Sequence, residues 1–285
     1  MLHLPLILIL SNPAALPPAT TPALSSLVAA EYAFADQTEK QGIRAGFMAN
    51  LRPDSTVFIP RLVNGVTYYK TQLESGALLT WYPHVAEVAQ SEDLGYCTGP
   101  WVYKTSKEAD AMTVNGWFVT LWQREGNGPW KVRLDIGTPN PDPGERPVPA
   151  ALPRPAAATL GPVAGQPGNA NELLDLDRAF GAEAAKNVQT AYKARVDDKV
   201  RFYRKGRFPV EGAKAMGAAL DPGTVSWQPV EGFVAAGGDL GWTRGTLQHQ
   251  EKDGDTSCNY VRVWKKQGAA WKLVLDLELA LPAKK

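Results

Sequence analysis

The chain has 285 residues, 44% of them hydrophobic and 21% charged, with a formal net charge of +1. That length accommodates about two domains with real cores, and the near-neutral charge removes the electrostatic reason to expect nucleic acid or an anionic membrane surface as partner. A His-Glu-x-x-His helix, a Gly-x-Ser-x-Gly elbow, a phosphate loop and a Cys-x-x-Cys pair are all missing from the sequence.

Leu4 to Leu10 is nearly all aliphatic, and a Pro/Ala/Thr/Ser stretch follows as far as Ser26. A short apolar run before small residues is the pattern of a secretory signal, with Ala23-Leu24-Ser25 as a usable cleavage site. Residues 1–25 are therefore expected to be a signal peptide or leader, and the protein to be exported to a periplasmic or extracellular compartment. The apolar run is too short to span a bilayer and no longer one follows, so no membrane span is expected.

Leu27, Ala30, Glu31 and Phe34 lie at helical spacing, with Ser25 or Ser26 as N-cap. A second, shorter helix is expected around Phe47 and Leu51. Strands follow: Trp117 to Trp122 and Trp130 to Ile136 alternate, joined by a Glu125-Gly126-Asn127-Gly128 turn. From Thr138 to Asn171 the chain is dense in Pro, Ala and Gly, which predicts an extended, semi-stiff spacer.

Beyond the spacer the order repeats. Trp81-Tyr82-Pro83 and Asp93-Leu94-Gly95-Tyr96 answer to Trp227-Gln228-Pro229 and Asp239-Leu240-Gly241-Trp242 at a constant offset of 146, which also pairs Leu27, Glu31 and Phe34 with Leu173, Asp177 and Phe180. Asn171 is the expected cap of the second copy's first helix, and Tyr192 and Val196 mark its second. Tyr260 to Trp264 and Trp271 to Leu279 form its last strands, with a turn at Gln267-Gly268. Gly237-Gly238-Asp239-Leu240-Gly241 leads from strand to strand and reads as a hairpin turn. Rare residues matching in order over a hundred positions establish a duplication. The predicted organisation is α+β: two tandem domains over 26–137 and 172–282, joined by a 138–171 linker, each with N-terminal helices packed on a strongly curved antiparallel sheet.

The run Trp-x-Pro, Asp-Leu-Gly-aromatic-x-x-Gly and a final Trp-Lys-x-x-x-Asp resembles the domain of unknown function 4440, a SnoaL-like branch of the nuclear transport factor 2-like superfamily. The likeness covers both copies and is fuller in the first, which keeps Trp81, Pro83, Leu94, Gly95, Tyr96 and Gly99; Trp242 replaces the Tyr in the second. It implies a cone-shaped fold with a cavity at its open end, used in relatives for isomerase, cyclase or dehydratase chemistry, for ligand binding, or merely packed. It also implies pairing through the outer sheet face, here as an intrachain pseudo-dimer.

In catalytic relatives a carboxylate or His inside the cone moves a proton and a Tyr polarises a carbonyl. The catalytic candidates are His84, Asp135 and Tyr96, and the ligand-binding candidates Arg61, Tyr68, Trp81, Tyr96, Trp101 and Trp117. His84 answers to Val230, so it is either an acid/base group of the first domain alone or a His at a strand end facing water. Asp135 and Asp276 are kept in both copies; on simple alternation they share a face with Lys131 and Lys272, opposite the apolar stripes. They read either as buried bases or as cross-strand salt bridges or turn-stabilising acceptors, and Arg244 as a residue that plugs or charges the second cavity. His84 and His249 are not equivalent, so neither metal nor cofactor is expected. Cys97 and Cys258 are not equivalent either, which excludes a duplicated disulfide framework. The functional expectation is a small hydrophobic ligand in the domain 1 cone; the alternatives are a lyase- or isomerase-type enzyme on a small carbonyl compound, and a non-catalytic interaction scaffold.

Overall fold

The computed structural model describes residues 21–282 except 60, 109, 157, 222, 252 and 253. The expected leader lies almost entirely outside these residues. Helix α1 spans Pro22–Gln41, so Ala23, Leu24 and Ser25 form part of its first turn. The Thr21 hydroxyl caps α1 by accepting from the Leu24 amide, not Ser25 or Ser26, and Pro22 opens it where no amide hydrogen is needed. Leu27, Glu31 and Phe34 share the buried face. Helix α2 (Ile43–Asn50) ends one residue before Leu51, which begins strand β1 (Leu51–Ile59). Next come β2 (Arg61–Asn64) and α3 (Gly65–Thr71), whose Asn64 cap accepts from the Thr67 amide. Strands β3 (Leu78–Trp81), β4 (Val85–Val88), β5 (Leu94–Lys104), β6 (Thr113–Gln123) and β7 (Lys131–Asn140) complete the first sheet.

The second copy repeats this plan with α4 (Ala170–Ala184, capped by Asn169 rather than Asn171), α5 (Val188–Arg195), β8 (Val196–Arg204), β9 (Val210–Glu211), a 3-10 turn at Ala213–Ala218, β10 (Thr224–Val234), β11 (Leu240–Glu251), β12 (Gly254–Gln267) and β13 (Ala270–Ala280). Val196 is the first strand residue, not a helical one. The sheet orders are β2-β1-β7-β6-β5-β3, with β4 also on β5, and β10-β11-β12-β13-β8-β9. Both sheets are antiparallel except where the first long strand meets the last, β1 with β7 and β8 with β13, which run parallel.

One irregularity decides what enters each cone. Leu121 pairs with Leu134 but Trp122 pairs with Val132, so Arg133 is an extra residue in β7; Val274 is its counterpart in β13. A bulge flips the alternation beyond it. Val132 and Leu273 therefore belong to the cone interiors, while Leu134, Ile136, Leu275 and Leu277 point outward. Asp135 and Asp276 turn inward, away from Lys131 and Lys272. Simple alternation placed both aspartates on the wrong face.

The outward apolar residues of the two sheets form one shared core. Tyr96, Val119, Leu121, Leu134 and Ile136 pack with Tyr203, Trp242, Val261, Val263, Leu275 and Leu277. At its edge the contacts are reciprocal. The Gln90 amide donates to Asp239 Oδ2 at 3.0 Å, and the Ala236 amide donates to Asp93 Oδ2 at 2.9 Å. Each donor and acceptor is displaced from its counterpart by the same 146 residues, the signature of a two-fold-related surface pairing with itself. The outer faces of the two sheets pack against each other within the chain.

The linker is fastened rather than free. Tyr82 donates to the Pro149 carbonyl at 3.0 Å, the Leu152 amide donates to the Pro83 carbonyl at 2.8 Å, and Arg154 forks onto Asp36 with two 2.9 Å bonds while lying over the Tyr32 ring. Further on, Arg124 donates to the Gly161 carbonyl, and the Val163 amide to that of Gly126. Composition gave no sign of these anchors, all supplied by domain 1.

Candidate ligand site

Domain 1 encloses a cavity of about 500 Å³, within the range of small-molecule sites. Phe47 of α2, Val57 of β1, Tyr68 and Tyr69 of α3, Leu79 and Trp81 of β3, Trp101 and Tyr103 of β5 and Phe118 of β6 line it, and the exposed Leu73, Glu74 and Ser75 mark its rim. The small volume at Gly137 matters here. A Cβ at that position would stand 2.9 Å from Trp101 Nε1, so the glycine lets the indole lie across the strand.

Asp135 is the inner carboxylate of this cavity, Glu74 the one at its rim. The Thr120 hydroxyl donates to its Oδ2 at 3.0 Å. Burial among aromatic rings pushes its carboxyl up to about 6, and the Thr120 hydrogen bond opposes that only in part. Such a group is mostly ionised at neutral pH yet close enough to its midpoint to take and return a proton. The phenols of Tyr68 and Tyr69 share the same walls.

Behind the aromatic wall lies a second carboxyl, Glu31. Trp81 Nε1 donates to its Oε1 at 2.6 Å and Trp122 Nε1 to its Oε2 at 2.7 Å, with the whole residue buried. Burial pushes Glu31 up to about 7, against the two indole hydrogen bonds. The folded chain thus keeps this proton to about pH 7, whereas the unfolded chain releases it near 4.5. Stability must fall as pH rises through that window, by on the order of 3 kcal/mol at completion. Chemical denaturation between pH 4.5 and 7.5 should show that decline, and Glu31→Gln should remove the part above about pH 6, leaving below it the part that the raised carboxyl of Asp135 contributes; an unchanged slope in the variant would contradict the assignment.

Of the residues singled out in the sequence, Tyr68, Trp81, Trp101 and Asp135 meet in the cone. Tyr96 does not. It sits one position before Cys97 on β5 and therefore points outward, buried against domain 2. Trp117 also points outward and stacks on Tyr203, ring centroids 5.6 Å apart. His84 Nδ1 lies 2.6 Å from the Ala150 carbonyl oxygen, tied to the linker. Arg61 is exposed on the edge strand β2 and is not among the cavity-lining residues. His84 and Trp117 instead line a second cleft of about 470 Å³, which shares Trp81 and Trp101 with the cone cavity and is bordered by linker residues Pro143, Pro147 and Pro149 and by Phe208 and Pro209 of domain 2. Sequence reasoning missed Tyr69, Tyr103 and Phe118 as wall residues, and Glu31 as the anchor of the Trp81 indole.

Domain 2 builds the same cone and fills it. Strand registers place Arg262 where domain 1 has Thr120, and Arg204 where it has Ile59. Arg262 is fully buried; its Nη1 donates to Asp177 Oδ1 at 2.6 Å, its Nη2 to the Tyr192 hydroxyl at 3.2 Å, and its guanidinium lies 4.0 Å from the Trp227 ring centroid. Arg204 reaches Asp276 at 3.2 Å and Glu278 at 3.0 Å. Burial works to raise Asp276, but these two guanidiniums overcome it and hold the carboxyl below its ordinary range. The plug is therefore Arg262, not Arg244, which lies at the domain interface and pairs with Glu231.

No protein-family model matches the chain, and no curated protein matches it either. Among solved structures it is similar to an NTF2-like protein of unknown function from Pseudomonas putida KT2440 (13% identity, 40% of this chain and 94% of that one, TM-score 0.34). It is also similar to the CaMKII hub of S. rosetta (21%, 40% and 98%, TM-score 0.33) and to a candidate ketosteroid isomerase from Parabacteroides distasonis ATCC 8503 (17%, 39% and 89%, TM-score 0.33). Each of these chains is matched over most of its own length and over about two fifths of this one.

Proposed function

We propose that the protein is a ligand-binding module in which domain 1 receives one small, largely apolar molecule and domain 2 serves as its fixed structural partner. The observation that supports this is the contrast between the two cones: one holds a ligand-sized aromatic cavity, the other an arginine between two carboxylates. Desolvating an apolar guest against Phe47, Trp81, Trp101 and Phe118 supplies the affinity, and Asp135 and the two phenols give it orientation.

A second reading follows from Asp135 itself. A carboxylate poised near neutrality inside an apolar pocket suits removal of a proton from the carbon next to a ketone. With a β,γ-unsaturated ketone the C–H electron pair would move onto the carbonyl oxygen as a dienolate, a Tyr68 or Tyr69 phenol would hydrogen-bond that oxygen, and the Asp135 acid would return the proton to the γ-carbon of the dienolate. That is an isomerisation with no net change in atoms or electrons.

Quenching of tryptophan fluorescence by a series of cyclic apolar ketones and phenols tests both readings. Saturation at one equivalent per chain, abolished by Leu79→Trp, which fills the cavity, supports the binding site; no saturable quenching across the series would refute it. Exchange of the ketone's α-hydrogens in deuterium oxide, lost in Asp135→Asn while binding persists, separates the enzyme from the binding module.

A further inference from the structure

Three positions at one end of the cone differ together between the domains. Domain 1 has Tyr103, Gly116 and Gly137 there; the strand registers place His249, Cys258 and Glu278 at the same sites in domain 2. The change replaces part of a cavity wall with a nitrogen, a sulfur and an oxygen donor, whose ligating atoms all lie within 4.8 Å of one another. We propose that His249, Cys258 and Glu278 form a zinc-binding site in domain 2.

The donor set and its geometry carry this assignment. Imidazole, thiolate and carboxylate are the three zinc ligands of proteins, with bonds of about 2.0–2.3 Å that set tetrahedral ligand atoms roughly 3.2–3.8 Å apart. His249 Nε2 and Glu278 Oε2 stand 2.7 Å apart, so they need to open by about half an ångström, a side-chain rotation. The carboxylate is already divided between two duties. Its Oε1 takes the Arg204 guanidinium at 3.0 Å, and its Oε2 is turned to the cluster. An outer group that holds a ligating carboxylate from behind is a regular part of metal sites. Cys258 is buried, His249 half-buried, and both His249 and Glu278 border a cavity of about 10 Å³. That space suits one water as fourth ligand. The site stands apart from the domain 1 cavity, and neither assignment depends on the other.

The test is a titration of the chelator-stripped full chain with Co²⁺ alone, followed by Zn²⁺ competition. One equivalent of Co²⁺ is expected to produce a thiolate-to-cobalt charge-transfer band in the near ultraviolet, and Zn²⁺ to erase it. Cys97→Ser should retain the band and Cys258→Ser should lose it. His249→Gln should weaken binding at least tenfold. Near-ultraviolet circular dichroism of the tryptophans identifies variants that keep the fold, and Cys258→Ala stands in should the serine variant not fold. Absence of the band in the parent chain, or its persistence without Cys258, would overturn the site.

Discussion

Arg262→Leu is expected to lower the unfolding free energy by about 3–5 kcal/mol, because it strands Asp177 and leaves Asp276 with one of its two guanidiniums in the filled cone of domain 2. Both carboxylates are fully buried, and Arg262 is the guanidinium between them, 2.6 Å from one and 3.5 Å from the other. Arg204 still neutralises Asp276 in the variant, so Asp177 bears most of the loss and must take up a proton or draw in water. The arginine also packs against Phe180, Trp227 and Tyr260, contacts that leucine restores only in part. Urea denaturation followed by tryptophan fluorescence reads the change; a variant as stable as the parent would mean the network contributes nothing. The ion pairs also fix a sign. Asp276 is held below its ordinary value of 3.8, so its contribution is present above that pH and lost as pH falls through the lower folded value. Glu31 in domain 1 acts the other way, and acid should therefore weaken domain 2 while it favours domain 1.

Trp242→Ala is expected to cost about 3–5 kcal/mol, the range for deleting a buried Trp. This indole lies wholly inside the core shared by the two sheets, with the Arg133 guanidinium 5.6 Å from its ring centroid. The loss falls on the contact between domains, not within either one. Urea unfolding should therefore separate from one transition into two. A single transition at the parent midpoint would show that the interface does not couple the domains. Peripheral pairs such as Lys265 with Glu87, partly exposed, contribute far less.

Much of this architecture was legible in the residues. The 146-residue offset alone places the second domain, and the reciprocal Asp93 and Asp239 hydrogen bonds fall on that same offset. Asp135 stood out because both copies keep it, but its direction did not, since alternation carries no count of an extra residue. A signal was present in the second copy, where Leu273-Val274-Leu275 breaks the alternation at the bulge. Arg262 was equally visible: it shares an inward phase with Tyr260 and Trp264. Helix α3 was hidden because Gly65-Val66-Thr67-Tyr68-Tyr69 has poor helix propensity; the Asn64 cap and the stacking of Tyr69 on Phe47, centroids 4.5 Å apart, hold it instead. Nothing local could have tied Tyr96 and Trp117 to the interface, because their partners lie in the other domain.

The most direct measurement is a carbon-13 NMR titration of the side-chain carboxyls, assigned through Asp135→Asn and Asp276→Asn. An open domain 1 cone and a filled domain 2 cone predict a midpoint for Asp135 of about 6 and one for Asp276 below 3.8, with Asp135 moving when an apolar ketone binds and Asp276 unaffected. Two carboxyls titrating together at the ordinary value would contradict the division of the molecule into one receiving cone and one plugged cone.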